Sequence, residues 1–112
     1  MKEMREGALL RIFIGEGDKY GGVPLHQWLI GKAREEGLAG STVLRGVEGY
    51  GAHSRIHTAN ILMLSETLPL VVEIVDTREK IEAFLPLVDE AVSEGLATVE
   101  ELRFRLYRKA EA

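Results

Sequence analysis

The residue types best suited to binding an anion are gathered between positions 45 and 58, in the stretch RGVEGYGAHSRIHT. Its glycines allow the backbone to approach a ligand closely, and its hydroxyls and basic side chains, Arg45, His53 and Arg55 among them, can donate hydrogen bonds to anionic oxygens. This pattern predicts recognition of a phosphate or a carboxylate. In the alternative interpretation the glycines shape a hairpin and the basic side chains lie in solvent.

His53 and His57 are four residues apart, and in a helix they would share one face in a manner that suits Zn²⁺ or Ni²⁺. The neighbouring glycines disfavour a helix, and no carboxylate follows Glu48 within the stretch to complete a ligand set. A divalent-metal-binding trimer of the metal-tolerance type that uses His53 and His57 is kept as the alternative function. A small lyase or hydrolase with His53 as general base is a third hypothesis.

A second pair of basic residues lies near the end of the chain. Arg103 and Arg105 alternate around Phe104, so in a strand both guanidinium groups project from one face and the ring from the other. The two guanidinium groups can each donate paired hydrogen bonds to phosphate oxygens. In the alternative interpretation they form a solvated outer face of the strand. A shared site with the 45–58 stretch requires the two regions to meet, within one chain or across subunits.

Length, charge and composition narrow the classes of function. The chain has 112 residues, and 18 acidic against 14 basic residues give a formal net charge of −4, which opposes binding to nucleic acid or to an anionic membrane. The absence of cysteine excludes thiolate metal sites and cysteine nucleophiles. No catalytic constellation is recognised, so we expect a non-enzymatic protein that requires no cofactor. Because the chain has no signal peptide and no apolar run of about 18 residues, we expect a cytoplasmic protein without membrane insertion.

The hydrophobic patterns predict one α+β domain over residues 1–112, with a folded core at 7–107, a flexible loop at 49–60 and a tail at 108–112. Strands are expected at 8–15, 41–48 and 70–75, and a last strand at 96–107 that Glu100-Glu101 interrupts or splits in two. Residues 61–64 extend the third strand or pair as a hairpin arm. Helices are expected from Pro24 to Gly37 and, after a cap at Asp76 or Thr77, to Gly95. The order β-α-β-β-α-β predicts a ferredoxin-like sandwich, in which an antiparallel sheet carries both helices on one face.

Single charges interrupt two of the apolar strands, Arg11 in the first and Glu73 in the third. A charge that is buried without a partner is costly. The sequence therefore predicts that Arg11 pairs with Glu73, as a structural contact.

Four blocks of the sequence resemble a family of small uncharacterised PII-like proteins. They are LRIFIGEGDK at 10–19, AGSTVLRGVEGYG at 39–51, HSRIH at 53–57 and LPLVVEIVD at 68–76. The match runs from about residue 9 to about residue 99. The family shares the ferredoxin-like fold of the PII nitrogen regulators, and the resemblance implies a homotrimer with adenine-nucleotide sites in the clefts between subunits.

The resemblance also extends to particular residues. Gly49-Tyr50-Gly51 matches the Gly-aromatic-Gly turn that opens the long T-loop of the PII regulators, and Arg103-Phe104-Arg105 is similar to their C-terminal Arg-x-Arg phosphate contacts. The expected nucleotide contacts are Arg45, Gly49, Tyr50, Gly51, His53, Arg55, Arg103 and Arg105. The Gly-rich, lysine-containing loop of the PII regulators has no counterpart in the segment SEGLA at 93–97.

Residues and resemblance together predict a PII-like signalling protein. The homotrimer is expected to bind ATP, ADP or AMP between its subunits and to present a ligand-responsive loop to a protein or transporter target.

Overall fold

The main strands and helices follow one another along the chain in the predicted order β-α-β-β-α-β. The computed structural model describes residues 3–50, 57–58 and 68–109. The main elements are β1 (Arg5–Gly15), α1 (Leu25–Glu35), β4 (Gly40–Arg45), β7 (Pro69–Asp76), α2 (Arg78–Ala91) and β8 (Leu96–Phe104). Four two-residue strands complete the set, namely β2 (Lys19–Tyr20), β3 (Val23–Pro24), β5 (Glu48–Gly49) and β6 (His57–Thr58).

The main sheet has four antiparallel strands in the order β4-β7-β1-β8. Its two central strands are the two near-continuous apolar runs, as expected for strands with neighbours on both sides. Buried side chains alternate along β1, where Leu10, Ile12 and Ile14 pack with Leu29 of α1 and Phe84 of α2 in one core. Both helices therefore cover the same face, and the ferredoxin-like α+β prediction is confirmed.

The opposite face of the sheet, which we call the open face, has no helix against it among the described residues. Leu9, Arg11 and Phe13 point to this face from β1 and are half-buried. Leu44 of β4 and Leu96 of β8 lie on the same face and are 48% and 61% exposed. Among the described residues, this face thus leaves apolar side chains of both edge strands in solvent.

Local chemistry sets the helix boundaries. Thr77 caps α2, where its side-chain oxygen accepts a hydrogen bond from the Lys80 backbone at 3.3 Å. Gly37 follows α1 with a φ of 76°, a conformation that glycine adopts without steric cost. Helix α2 ends at Ala91, short of the predicted residue 95, because Val92 already has extended dihedral angles.

Two strand predictions are wrong in detail. The last strand is continuous from Leu96 to Phe104 because its two glutamates point to opposite faces, where each pairs with an arginine: Glu100 with Arg11 and Glu101 with Arg78. The second strand ends at Arg45 because the Gly46 amide turns away to donate to the Pro69 carbonyl at 2.7 Å. Residues 61–64, proposed as a hairpin arm, lie outside the described residues.

Gly7 marks a close contact at the far end of the sheet. A Cβ atom at this position would collide with the ring of Phe104 and lie 2.6 Å from the carbonyl oxygen of Asp76. The ring of Phe104, with Arg5 6.0 Å from its centroid, thus covers the backbone of β1. Only glycine allows the two strands to pack in this way.

Candidate functional site

One end of the sheet gathers both ends of the 46–68 segment. Arg45 closes β4 and Pro69 opens β7, and Glu16 follows directly after β1. The register explains the meeting, because Gly15 pairs with Pro69 and Arg45 pairs with Leu70. We call this set of residues the loop root: Glu16, Arg45, Gly46, Gly49, Leu68 and Pro69.

A tight turn fixes the position of Glu16. The Asp18 amide donates to the Gly15 carbonyl at 3.1 Å, and the Asp18 carboxylate accepts from the Gly15 amide at 2.9 Å. The Asp18 carbonyl also accepts from the Leu25 amide at 2.8 Å, which ties the turn to α1. Glu16 therefore projects from a turn that is held at both ends.

Glu16 contacts both ends of the 46–68 segment. Its carboxylate forms an ion pair with the guanidinium of Arg45 through Oε2, and Oε1 lies 3.5 Å from the Leu68 amide as a long hydrogen bond. The Glu16 amide donates to the Leu68 carbonyl at 2.8 Å. The Arg45 side chain nevertheless remains 61% exposed, so most of its donors face solvent.

Pro69 packs against the glycines of the loop root. A Cβ atom on Gly46 would lie 2.9 Å from the Pro69 ring carbon Cγ, and one on Gly49 would lie 3.3 Å from the same atom. Glu48 and Gly49 of β5 pair with Thr58 and His57 of β6. The hairpin interpretation of the glycines thus holds at Gly49, and its neighbour Tyr50 is 72% exposed.

Three of the predicted contacts, Gly51, His53 and Arg55, lie outside the described residues. His57 belongs to β6. Its proposed metal-binding partner, His53, lies outside the described residues. No group of three or more histidine, aspartate or glutamate side chains in the described parts of the chain is arranged to hold a metal ion.

Arg103 and Arg105 lie at the opposite end of the sheet from Arg45. Arg103 pairs in register with Glu6, whereas the Arg45 row contains Leu70 and Ile14. Along β1, eight residue steps, or about 27 Å, separate Glu6, which lies beside Arg103, from Ile14, which is level with Arg45. Across the sheet, three strand spacings separate β8 from β4, so Arg103 and Arg45 are about 30 Å apart. Within one chain, the structure does not bring the two basic regions together.

The two C-terminal arginines have no fixed partner of their own. Both are exposed, and neither forms an ion pair or a hydrogen bond with any residue that the structure describes. Their neighbour Phe104 is turned to the open face, where it covers Gly7. Both guanidinium groups are free to meet an anion from outside the chain.

The open face carries a network of three charges. Arg11 donates from Nε to Glu73 at 2.8 Å and from Nη1 to Glu100 at 2.6 Å. The hydrogen bond to Glu73, with a further contribution from Glu100, raises the pKa of Arg11 above its ordinary value. The predicted pairing of Arg11 with Glu73 is confirmed, and Glu100 is an addition that the strand prediction did not anticipate.

Comparison with known proteins identifies sequence relatives along most of the chain. The model of the DUF190 family, described as "Uncharacterized ACR", matches residues 7–104. A UPF0166 protein of Aquifex aeolicus (strain VF5) is 40% identical over 94 residues, which are 84% of this chain and 89% of the relative. A UPF0166 protein of Methanocaldococcus jannaschii is 32% identical over 99 residues, which are 88% and 91% of the two chains.

Solved structures share the fold at low sequence identity. CPII from Thiomonas intermedia K12, bound to ADP and bicarbonate, matches with a TM-score of 0.60 and 15% identity over 93% of each chain. A second structure of CPII, described as a nitrogen regulatory PII-like protein bound to ADP, AMP and bicarbonate, matches with a TM-score of 0.61 and 14% identity over 93% of this chain and 92% of CPII. The expected PII-like fold is thereby confirmed.

In the described part of the chain, no helix is both long enough and apolar enough to cross a membrane.

Proposed function

The chain belongs to the DUF190 family of PII-like proteins, and on that premise we propose that it is a regulatory protein that binds an adenine nucleotide. The observation that carries the proposal is the shared fold, because CPII has the same fold over nearly its whole length and has been solved with ADP and with AMP. The exposed guanidinium of Arg45 at the loop root supplies a suitable phosphate contact.

The proposed site is shared between two copies of the chain. Arg45, Gly49 and Tyr50 lie at one end of the sheet, and Arg103 and Arg105 lie about 30 Å away at the other. A single nucleotide is too short to contact both groups in one chain. The loop root of one copy and the C-terminal arginines of the next must therefore form the site together, in a head-to-tail ring.

A homotrimer is the ring that we propose. The open face provides an apolar surface for its assembly, with Leu44 and Leu96 exposed in the single chain. The Arg11 network lies in the middle of that surface, where the guanidinium pairs with both Glu73 and Glu100 and one net negative charge remains.

The free C-terminal arginines make micromolar affinity reachable. Each charge-assisted hydrogen bond to a phosphate contributes about 1.5 to 3 kcal/mol, and a micromolar ligand requires about 8 kcal/mol in total. Three such bonds, from Arg45, Arg103 and Arg105, and burial of the adenine ring reach that value after the cost of ordering the ligand.

The regulatory part of the proposal concerns the segment that the loop root carries. Nucleotide binding beside Arg45 changes what residues 49–60 present to a partner protein or transporter. The same residues include the further predicted contacts Gly51, His53 and Arg55.

Isothermal titration with ATP, ADP and AMP tests the nucleotide proposal. Wild-type protein is expected to bind at least one of the three with micromolar affinity, and Arg45→Gln is expected to weaken that binding by at least about tenfold, because one charge-assisted contact is lost. Arg34→Gln removes an exposed arginine from the last turn of α1 and serves as the matched control. Absence of binding at millimolar nucleotide, or an equal effect of both substitutions, would overturn the proposal.

A further inference from the structure

Glu16 is the acidic member of the loop root, and family resemblance does not assign it a role. We propose that its carboxylate is the built-in competitor for Arg45, which a bound phosphate group must displace. Glu16 is then a specificity-determining residue that selects for strongly anionic ligands. The inference rests on the proposed nucleotide function and adds a regulatory step to the same site.

The contacts of Glu16 support this role because its side chain and its backbone act separately. Oε2 engages the Arg45 guanidinium and Oε1 reaches the Leu68 amide, so displacement of the carboxylate changes the surroundings of both ends of the 46–68 segment. The backbone bond from the Glu16 amide to the Leu68 carbonyl, at 2.8 Å, and the bond from Gly46 to Pro69, at 2.7 Å, do not involve the side chain. The strands thus remain joined when the carboxylate leaves.

The turn at Gly15 to Asp18 makes the competition effective. Because Asp18 bonds to Gly15 through both its amide and its carboxylate, the backbone of Glu16 is held close to Arg45 before any ligand arrives. A carboxylate that is held in place loses little further conformational freedom when it pairs, so it competes better than a free carboxylate in solution.

The charges involved predict which ligands succeed. The Glu16 carboxylate carries one negative charge, whereas a nucleotide phosphate chain carries two or more near neutral pH and can accept from several donors of the same guanidinium. A phosphate group therefore displaces Glu16, whereas a simple monocarboxylate, with the same charge and no positional advantage, does not. Once displaced, Glu16 no longer holds the Leu68 amide, so binding at Arg45 is transmitted to the end of the 46–68 segment.

Glu16→Gln separates the competition from the fold. Glutamine keeps the size of the side chain, but it no longer neutralises Arg45, and its neutral amide oxygen is a weaker acceptor for the Leu68 amide than the carboxylate is. Because exposed ion pairs have modest strength, ADP is expected to bind Glu16→Gln about two- to fivefold more tightly than wild type. Glu82→Gln removes the same charge from an exposed arginine pair on α2 and is expected to bind ADP as wild type does.

The experiment combines two measurements on wild type, Glu16→Gln and Glu82→Gln. Calorimetric titration with ADP gives the affinities, and amide hydrogen exchange without ligand reports on the Leu68 amide, which should exchange faster in Glu16→Gln alone. Tighter ADP binding together with faster Leu68 exchange in Glu16→Gln supports the inference. Equal or weaker ADP binding by Glu16→Gln overturns the competition, and unchanged exchange at Leu68 overturns the link to the 46–68 segment.

Failure of the underlying function gives a different result. If none of the three proteins binds ADP, AMP or ATP, the nucleotide proposal itself is overturned and the competition falls with it. If wild type binds and Glu16→Gln binds no better, the nucleotide proposal stands and only the role of Glu16 is refuted.

Discussion

Gly46→Ala tests the packing of the loop root against Pro69. The added Cβ would lie 2.9 Å from the Pro69 ring carbon Cγ, whereas ordinary contacts of this kind begin at about 3.4 Å. The proline ring is rigid and belongs to the first residue of β7, so relief requires the two strand ends to move apart. That movement also lengthens the bond from the Gly46 amide to the Pro69 carbonyl, now 2.7 Å.

The size of the effect follows from these two contributions. In Gly46→Ala, the extra methyl forced into a well-packed contact costs about 1 to 3 kcal/mol of the free energy of unfolding. Weakening of the hydrogen bond from the residue 46 amide to the Pro69 carbonyl costs up to about 1 kcal/mol more. Gly49→Ala meets the same ring carbon at 3.3 Å, so a shift of a few tenths of an ångström suffices and a loss below about 1 kcal/mol is expected.

Two further glycines serve as controls because nothing lies within 4 Å of a Cβ built on them. Gly40→Ala at the start of β4 should leave stability nearly unchanged. Gly31→Ala in the middle of α1 should stabilise the protein by about 0.5 to 1 kcal/mol, since alanine loses less backbone entropy in a helix.

Urea denaturation at 25 °C, at one protein concentration throughout, measures the free energies of unfolding of wild type and the four variants. The expected order of stability is Gly31→Ala, then wild type with Gly40→Ala, then Gly49→Ala, and last Gly46→Ala. A Gly46→Ala protein that is as stable as Gly49→Ala would refute the packing of the loop root against Pro69.

Three other predictions address the open face, the pH dependence and the far end of the sheet. Arg11→Met leaves two carboxylates without a counter-charge on the open face, so sedimentation should show weaker association of the chains. The control is Arg78→Met, which removes an arginine that also bridges two glutamates but lies on the helix side of the sheet. Equal association of the two variants would contradict burial of the open face. The hydrogen bond from Tyr20 to Glu90, at 2.5 Å, raises the pKa of Tyr20 above 10. The stabilisation that this hydrogen bond provides is therefore present below pH 10 and is lost as the pH rises through the raised pKa. Tyr20→Phe should make the free energy of unfolding depend less on pH above pH 10 than it does in wild type. Parallel curves for the two proteins would count against the contact. Gly7→Ala should destabilise by at least about 2 kcal/mol in urea, and a smaller loss would show that the strands can separate at little cost.

The fold was largely predictable because hydrophobic patterning decides it. The runs that became β1 and β7 are apolar at almost every position, as central strands require, and the one charge in the middle of each run identified the Arg11–Glu73 pair. The continuity of β8 was not predictable in the same way. Whether two adjacent glutamates interrupt a strand depends on the arginines that face them, and those come from β1 and α2.

The candidate site was predictable in its residue types but not in its contacts. Arg45 stood out as a cation beside glycines, yet its pairing with Glu16 depends on the turn that Asp18 fixes. The one available signal was an acidic residue directly after the first strand, which does not reveal its partner.

The separation of the two basic regions follows from the strand order. In this order β4 runs parallel to β1, whereas β8 runs antiparallel to it. The C-terminal ends of β4 and β8, which carry Arg45 and Arg103, therefore lie at opposite ends of the sheet. A nucleotide site that uses both Arg45 and Arg103 of this protein thus requires a second chain.

Mixed trimers test the shared nucleotide site most directly. Arg45→Gln lacks the loop-root contact, and the double variant Arg103→Gln, Arg105→Gln lacks the C-terminal contacts, so each is expected to bind ADP at least about tenfold more weakly than wild type when it assembles alone. When the two are unfolded together and refolded at equal concentration, about one quarter of the contacts between neighbours in the ring combine an intact loop root with intact C-terminal arginines. The mixture should therefore recover about a quarter of the wild-type number of ADP sites at wild-type affinity, whereas a mixture that has no sites of wild-type affinity would contradict a site formed between chains.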